Sequence, residues 1–263
     1  MIVGQTQLTK LMLDSNLGSF PHSLLLVGEK GCGKHLFANA FASHFGYELI
    51  DITELLTNDL LVELSLKPTI TFCLVDLTQL TEKEQNILLK SLEDAPEHLY
   101  FILLADTLSY VLDTVVNRCY TAEFAPYSVE ELKQFLPAGQ SEELLQYFRT
   151  PGKLLSAQKT NLEEMLKICN ILLDKLETVN YANLLVVASK INYKDEYDKY
   201  DLDLFMGVLI HLARSKYVET KKDLYRKCYN ICQTENKKLE DKRLNKQYFV
   251  YNLLTNLWEA ARC

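Results

Sequence analysis

Five short apolar runs punctuate the first half of the chain, each closed by polar or turn-forming residues. They lie at Ser23–Val27, 47–52, 70–75, Leu99–Ala105 and 120–124, and the first, third and fourth are continuous rather than alternating. Continuous runs of this length predict strands buried on both faces, the pattern of a parallel sheet. Between the first two, Leu36, Phe37, Ala40, Phe41 and Phe45 recur at helical spacing, and Gly46 supplies a stop. A second helical segment is predicted over 82–92. Strand and helix in alternation predict crossover units and a parallel sheet with helices on both faces, an α/β fold.

After Pro126 the pattern changes to helical periodicity alone. Helices are predicted over 128–135, 141–148 and 162–176, the first opened by a capping-box-like Ser128-Val129-Glu130-Glu131. Pro151-Gly152 predicts a turn, and residues from Tyr181 onward read as further helices. Leu184-Leu185-Val186-Val187 is read as buried helix because of its helical neighbours, and 192–203 as an exposed loop. The predicted domains are 1–125, α/β, then 126–178 and 179–263, both helical.

Composition narrows the function classes. With 263 residues, 48% hydrophobic and 24% charged, the chain has the make-up of a soluble globular protein. No apolar run reaches membrane-spanning length and the start lacks a signal-like segment, so a cytoplasmic protein is expected. The net charge of −7 is uneven: residues 1–125 carry 7 basic and 16 acidic side chains, whereas 214–246 carry 11 and 5. An acidic first domain argues against independent nucleic-acid binding, and the basic stretch is read as a solvated helix face. Seven scattered cysteines predict reduced thiols, with Cys228 and Cys232 read as helix residues rather than metal ligands.

The chemistry centres on Gly28-Glu29-Lys30-Gly31-Cys32-Gly33-Lys34-His35. Gly, four residues, Gly-Lys and a hydroxyl residue is the phosphate-loop template: backbone N–H groups cradle phosphate, lysine reaches it, and the hydroxyl binds Mg²⁺. Here His35 replaces the hydroxyl, and a neutral imidazole is a poor ligand for a hard cation. The loop is therefore read either as holding ATP or ADP with little dependence on Mg²⁺, or as a strand-to-helix turn that binds nothing. Gly28, Gly31, Gly33, Lys34 and His35 are its candidate binding residues.

Asp76 closes the third apolar run, where a carboxylate is expected to face the phosphate loop and hold Mg²⁺ through water. The following residue is Leu77, which neither takes a proton nor orients a water molecule. Together, His35 and Leu77 predict a weak or inactive ATPase. Arg118 precedes the fifth run. It is read either as a guanidinium offered in trans to a neighbouring subunit's γ-phosphate or as a surface arginine in a local salt bridge.

These residues resemble the clamp-loader branch of the AAA+ ATPases, most closely the delta-prime subunit of bacterial-type DNA polymerase III. Val3-Gly4-Gln5 is similar to the family's opening motif, and Asn86-Ile87-Leu88-Leu89-Lys90-Ser91-Leu92-Glu93-Asp94-Ala95-Pro96-Glu97 to its "NALLKTLEEPPE" block. Asn117-Arg118-Cys119 stands where the family has Ser-Arg-Cys. The resemblance covers about residues 1–125 and fades after Pro151-Gly152-Lys153. It implies a P-loop AAA+ domain, a small helical lid (126–178) and an all-helical collar (179–263). It further implies a pentameric ring of clamp-loader subunits that places a sliding clamp on primer-template DNA, with no membrane partner. A delta-prime-type subunit is largely a stator, and Arg118 would act in trans on an adjacent ATPase. The four-cysteine zinc module usual in cellular relatives is missing after Phe45, so no structural zinc is expected. Two other readings stay open: an active AAA+ ATPase subunit, and a helical interaction protein on a relic nucleotide-binding scaffold.

Overall fold

The five apolar runs pair into one parallel sheet with the strand order β2-β3-β4-β1-β5. In the computed structural model, the described residues are 3–17, 20–136, 142, 145, 147–156, 162–191, 202–240 and 245–262. In chain order the sheet unit contains α1 (Thr6–Asp14), β1 (Ser23–Val27), α2 (Lys34–His44), β2 (Leu49–Asp51) and α3 (Asn58–Leu66). There follow β3 (Thr71–Asp76), α4 (Glu82–Glu93), β4 (Leu99–Ala105), α5 (Asp113–Val116), β5 (Tyr120–Glu123) and α6 (Val129–Lys133). The first and fourth strands have the predicted bounds. The second is shorter than the predicted 47–52 and lies at a sheet edge, where one side lacks a partner.

Every residue of β1, β3 and β4 is buried, which explains why their sequences run apolar without alternation. Alternate residues nevertheless feed two separate cores. Leu25, Val27, Cys73, Val75, Phe101 and Leu103 pack with Leu61, Leu64, Leu88 and Leu92 from α3 and α4. Leu24, Leu26, Phe72, Leu74, Ile102 and Leu104 pack on the other face with Leu8 of α1 and with Phe37, Ala38, Phe41 and Ala42 of α2. Aromatic contacts brace that second core: Phe72 stacks on Tyr100 at 5.0 Å, and Phe41 meets Phe45 edge-on at 5.3 Å. Such contacts add about 0.5–1.5 kcal/mol each beyond buried area. A further edge-on contact, Phe41 of α2 with Phe72 of β3 at 6.4 Å, ties α2, and hence the loop at its N-terminus, to the sheet.

The chain divides into two compact units, Met1–Leu132 with Thr150–Gly152, and Lys133–Arg149 with Lys153–Cys263. The described elements of the second unit are helical. After α7 (Pro151–Ser156), they are α8 (Leu162–Lys175), α9 (Tyr181–Ile191), α10 (Leu202–Thr220), α11 (Asp223–Asn236) and α12 (Lys246–Ala260). There α10 packs on α8 and α11, and α12 packs on α11 and α9. Leu184–Val187 lies within helix α9 as expected, but the segment is not buried: of the four only Leu184 is, and Leu185 and Val186 face outward.

Three local expectations change. Pro151-Gly152 opens α7 instead of making a turn; proline suits the first helical position because its missing N–H needs no partner there. The helix predicted over 128–135 is shorter, Val129–Lys133, although its capping box is present: Ser128 N donates to Glu131 Oε2 at 2.7 Å and Glu131 N to Ser128 Oγ at 3.3 Å. Half of the predicted helix 141–148 lies outside the described residues, as do all of the predicted loop 192–203 but Leu202 and Asp203, which open α10 instead.

The six described cysteines are free. Cys228 and Cys232, both on α11, are fully buried, and burial raises both thiols, Cys228 to about 11. Thiols so raised are packing groups rather than nucleophiles. Among the described residues no group of three or more His, Cys, Asp or Glu is placed to hold a metal. No helix among them is long and apolar enough to cross a membrane.

Candidate nucleotide site and arginine edge

Strand register sets the site. Val27 lies opposite Ala105 and Asp76 opposite Leu104, so the phosphate loop, Asp76 and Asp106 leave the sheet at the carboxyl ends of three adjacent strands. In open α/β sheets this is the edge where ligands bind. Gly28 N continues the ladder by donating to Ala105 O at 3.1 Å. Gly31 and Gly33 have φ of 85° and 104°, left-handed values that side chains resist, and they let the loop turn into α2. Helix α2 starts at Lys34 with no side-chain cap on its first turn, which leaves N–H groups pointing outward, as an anion site requires.

The lysine is already engaged. Lys34 is 7% exposed, and its Nζ donates to Gly28 O and, at 2.7 Å, to Asp106 Oδ1. Asp106 follows β4 immediately and is fixed by the turn after it: its N–H donates to the Tyr110 hydroxyl. That turn is held in place by the buried Gln85 of α4, whose Nε2 donates to Tyr110 O and whose Oε1 accepts from Leu112 N, both at 3.0 Å. Sequence reasoning missed Asp106. The signal was present: an aspartate directly after a buried apolar strand, the pattern that singled out Asp76.

Asp76 also spends its carboxylate locally. Oδ1 accepts from Thr78 N at 3.0 Å and Thr78 Oγ1 at 2.6 Å, and Oδ2 from Gln79 Nε2 at 2.8 Å. Its own N–H donates to Thr53 Oγ1. Leu77 is fully buried in the core beside Val75 and Leu88. His35 is exposed at the start of α2. As arranged, the lysine is paired with Asp106, position 35 has no hydroxyl and Asp76 accepts three hydrogen bonds from its own turn, so the residues present fit a Mg²⁺–nucleotide poorly.

The loop's carbonyls are taken as well, by later parts of the same unit. Tyr127 Oη donates to Cys32 O at 2.7 Å, Thr150 Oγ1 to Lys30 O at 2.9 Å and Gly152 N to Gly31 O at 2.9 Å. Near the chain start, buried Gln5 makes a reciprocal pair with the Ala125 backbone, 2.9 Å in each direction.

Arg118 follows the short helix α5 and belongs to a separate cluster. Its Nη1 donates to Thr114 O at 2.9 Å and its Nη2 to Glu93 Oε2 at 3.0 Å; the side chains of Arg118 and Glu93 are 31% and 60% exposed. Glu93 ends α4, within the block read from the sequence as family-like. The local salt bridge is thus present, and it is a solvent-exposed one, worth about 0–1 kcal/mol.

Comparison with known proteins agrees with this architecture. Residues 48–128 match a family model described as DNA polymerase III, delta subunit. The fold is similar to that of a DNA polymerase III gamma subunit-related protein from Thermotoga maritima, with a TM-score of 0.53 and 17% identity over 97% of this chain and 100% of that one. It is also similar to the T. maritima RuvB Holliday junction branch migration motor, with a TM-score of 0.50 and 17% identity over 82% and 76%. A single-residue variant of that RuvB gives 0.51 at the same identity and coverage. No curated protein matches the chain. The chain therefore shares an α/β P-loop fold with these proteins, a five-strand parallel sheet flanked by helices.

Proposed function

We propose that this chain is a clamp-loader subunit of a replicative DNA polymerase, a stator without ATPase activity that offers Arg118 to a neighbouring ATPase subunit. The observation that carries this is the family-model match over residues 48–128, which spans Asp76, Leu77, the Asn86–Glu97 block and Arg118. The engaged state of Lys34 supports the stator part, because a lysine held by a carboxylate brings no net charge to a phosphate. The exposure of the Arg118–Glu93 pair supports the trans role, since so weak a pair is readily exchanged for a phosphate.

In this reading the nucleotide loop is a fold element. Residues 126–178 serve as a lid and 179–263 as a collar that joins a pentameric ring, and the sliding clamp and primer-template DNA are met through that ring. Affinity capture of the tagged full chain from its native cell tests the assignment. Recovery of clamp-loader ATPase subunits in stoichiometric amounts is expected. Failure to recover them would leave the chain a helical interaction protein on a relic scaffold. Turnover of ATP by the purified chain, abolished in Lys34→Ala, would make it an active ATPase subunit instead.

A further inference from the structure

The geometry points to Asp106 as a built-in counter-ion that occupies the phosphate contact of Lys34 and closes the loop to nucleoside triphosphates. The inference rests on reading residues 28–35 as a phosphate loop and deepens the stator proposal. It does not depend on assembly into a ring.

Three observations carry it. First, the Asp106 carboxylate meets Nζ at 2.7 Å, the short range of a charge-assisted hydrogen bond, and the Gly28 carbonyl takes a second ammonium proton. A phosphate arriving at the loop would have to displace this carboxylate and then stand beside it, like charge against like. Second, Asp106 is held at its backbone as well as by the lysine. It is 24% exposed and its backbone is tied to Tyr110, whose turn is anchored by Gln85, a residue 1% exposed. Third, the loop is held from its other side. Thr150 and Gly152 donate to Lys30 O and Gly31 O, and a Cβ at Gly152 would lie 2.7 Å from Gly31 Cα. A loop pinned at the lysine and at two carbonyls has little room to re-form around a polyphosphate.

The consequence is specific to the phosphates. Removing the negative charge at position 106 should admit ATP, whereas adenosine, which carries no phosphate, should be indifferent to the change. Asp106→Asn and Asp106→Ser in the full chain are therefore titrated calorimetrically with ATP, ADP and adenosine. ATP should bind at least about tenfold more tightly to either variant than to the wild type, with adenosine unchanged. Adding Lys34→Ala to Asp106→Asn should remove the gain, because the freed lysine is its source. An unchanged ATP affinity in folded Asp106→Asn overturns the inference.

The wild-type chain gives a reading that does not depend on either variant folding. Its affinities for ATP and adenosine should agree within about threefold, and a preference for ATP of more than about tenfold would equally overturn the inference. Affinity capture reads assembly and these titrations read the loop, so each can fail without the other.

Discussion

Gly152 shows how one missing side chain holds the loop in place. Its N–H reaches Gly31 O because nothing stands between the two backbones. Gly152→Ala would put a methyl group 2.7 Å from Gly31 Cα and 2.9 Å from its carbonyl oxygen, both backbone atoms with little freedom to retreat. Overpacking of this kind costs about 1–3 kcal/mol, or about 2–4 °C of melting temperature per kcal/mol in a chain of this size. A thermal melt of Gly152→Ala should show the drop, and an unchanged melting temperature would mean that the contact with Gly31 is not maintained. Residues of this sort are hard to find by reading along a chain. The loop glycines were legible because a template fixes their spacing, but Asp106 lies 72 residues from Lys34 and Gly152 farther still. Asp106 has the local mark of an aspartate directly after a buried strand, but only strand register makes it the lysine's partner; nothing local marks Gly152.

The same division between local and distant information governs the secondary elements. Strands β1 and β4 were legible to the residue because double-sided burial makes their sequences continuously apolar between polar ends. Strand β2 was overestimated, since an edge strand needs fewer apolar residues than its flanks happen to supply. The opening of α7 was misread because Pro-Gly signals a turn and a helix start equally well.

Helix α4, which carries the family-like block, has a local device that can be tested. Thr81 Oγ1 accepts from Glu84 N, and Glu84 Oε2 accepts from Thr81 N at 2.7 Å, a complete capping box. Thr81→Ala should cost about 1 kcal/mol in a denaturant melt. The backbone hydrogen bond from Thr81, followed by the one from its hydroxyl, lowers the Glu84 pKa below its ordinary value. A lowered carboxylate contributes stability that is complete above its unfolded pKa, about 4.3, and is lost as pH falls through the folded value. The melting-temperature gap between wild type and Glu84→Gln should therefore be full at neutral pH and shrink below about pH 4. A gap that does not change with pH would remove the ionic part of the cap.

For the molecule as a whole, the residues singled out lie in two places with different surroundings. At the carboxyl edge of the sheet, Lys34 and Asp106 neutralise one another and Asp76 caps its own turn, so the loop keeps the form of a nucleotide site without its free charges. At the α4–α5 junction, Arg118 meets an exposed carboxylate and a helix carbonyl. The sequence carried the parallel α/β fold and the helical second half. It did not carry the division into Met1–Leu132 with Thr150–Gly152 and the remainder, because a three-residue return to the first unit leaves no compositional trace.

The role of Arg118 is tested most directly by Arg118→Ala in the reconstituted clamp-loader complex, with assembly checked by size-exclusion chromatography. Loss of an exposed ion pair should cost no more than about 1 kcal/mol of stability and leave assembly intact. Clamp-stimulated hydrolysis at the adjoining ATPase site should fall by about 10³-fold, the lower end of what a trans-acting arginine supplies. Unchanged hydrolysis at that site in a fully assembled mutant complex would contradict the account.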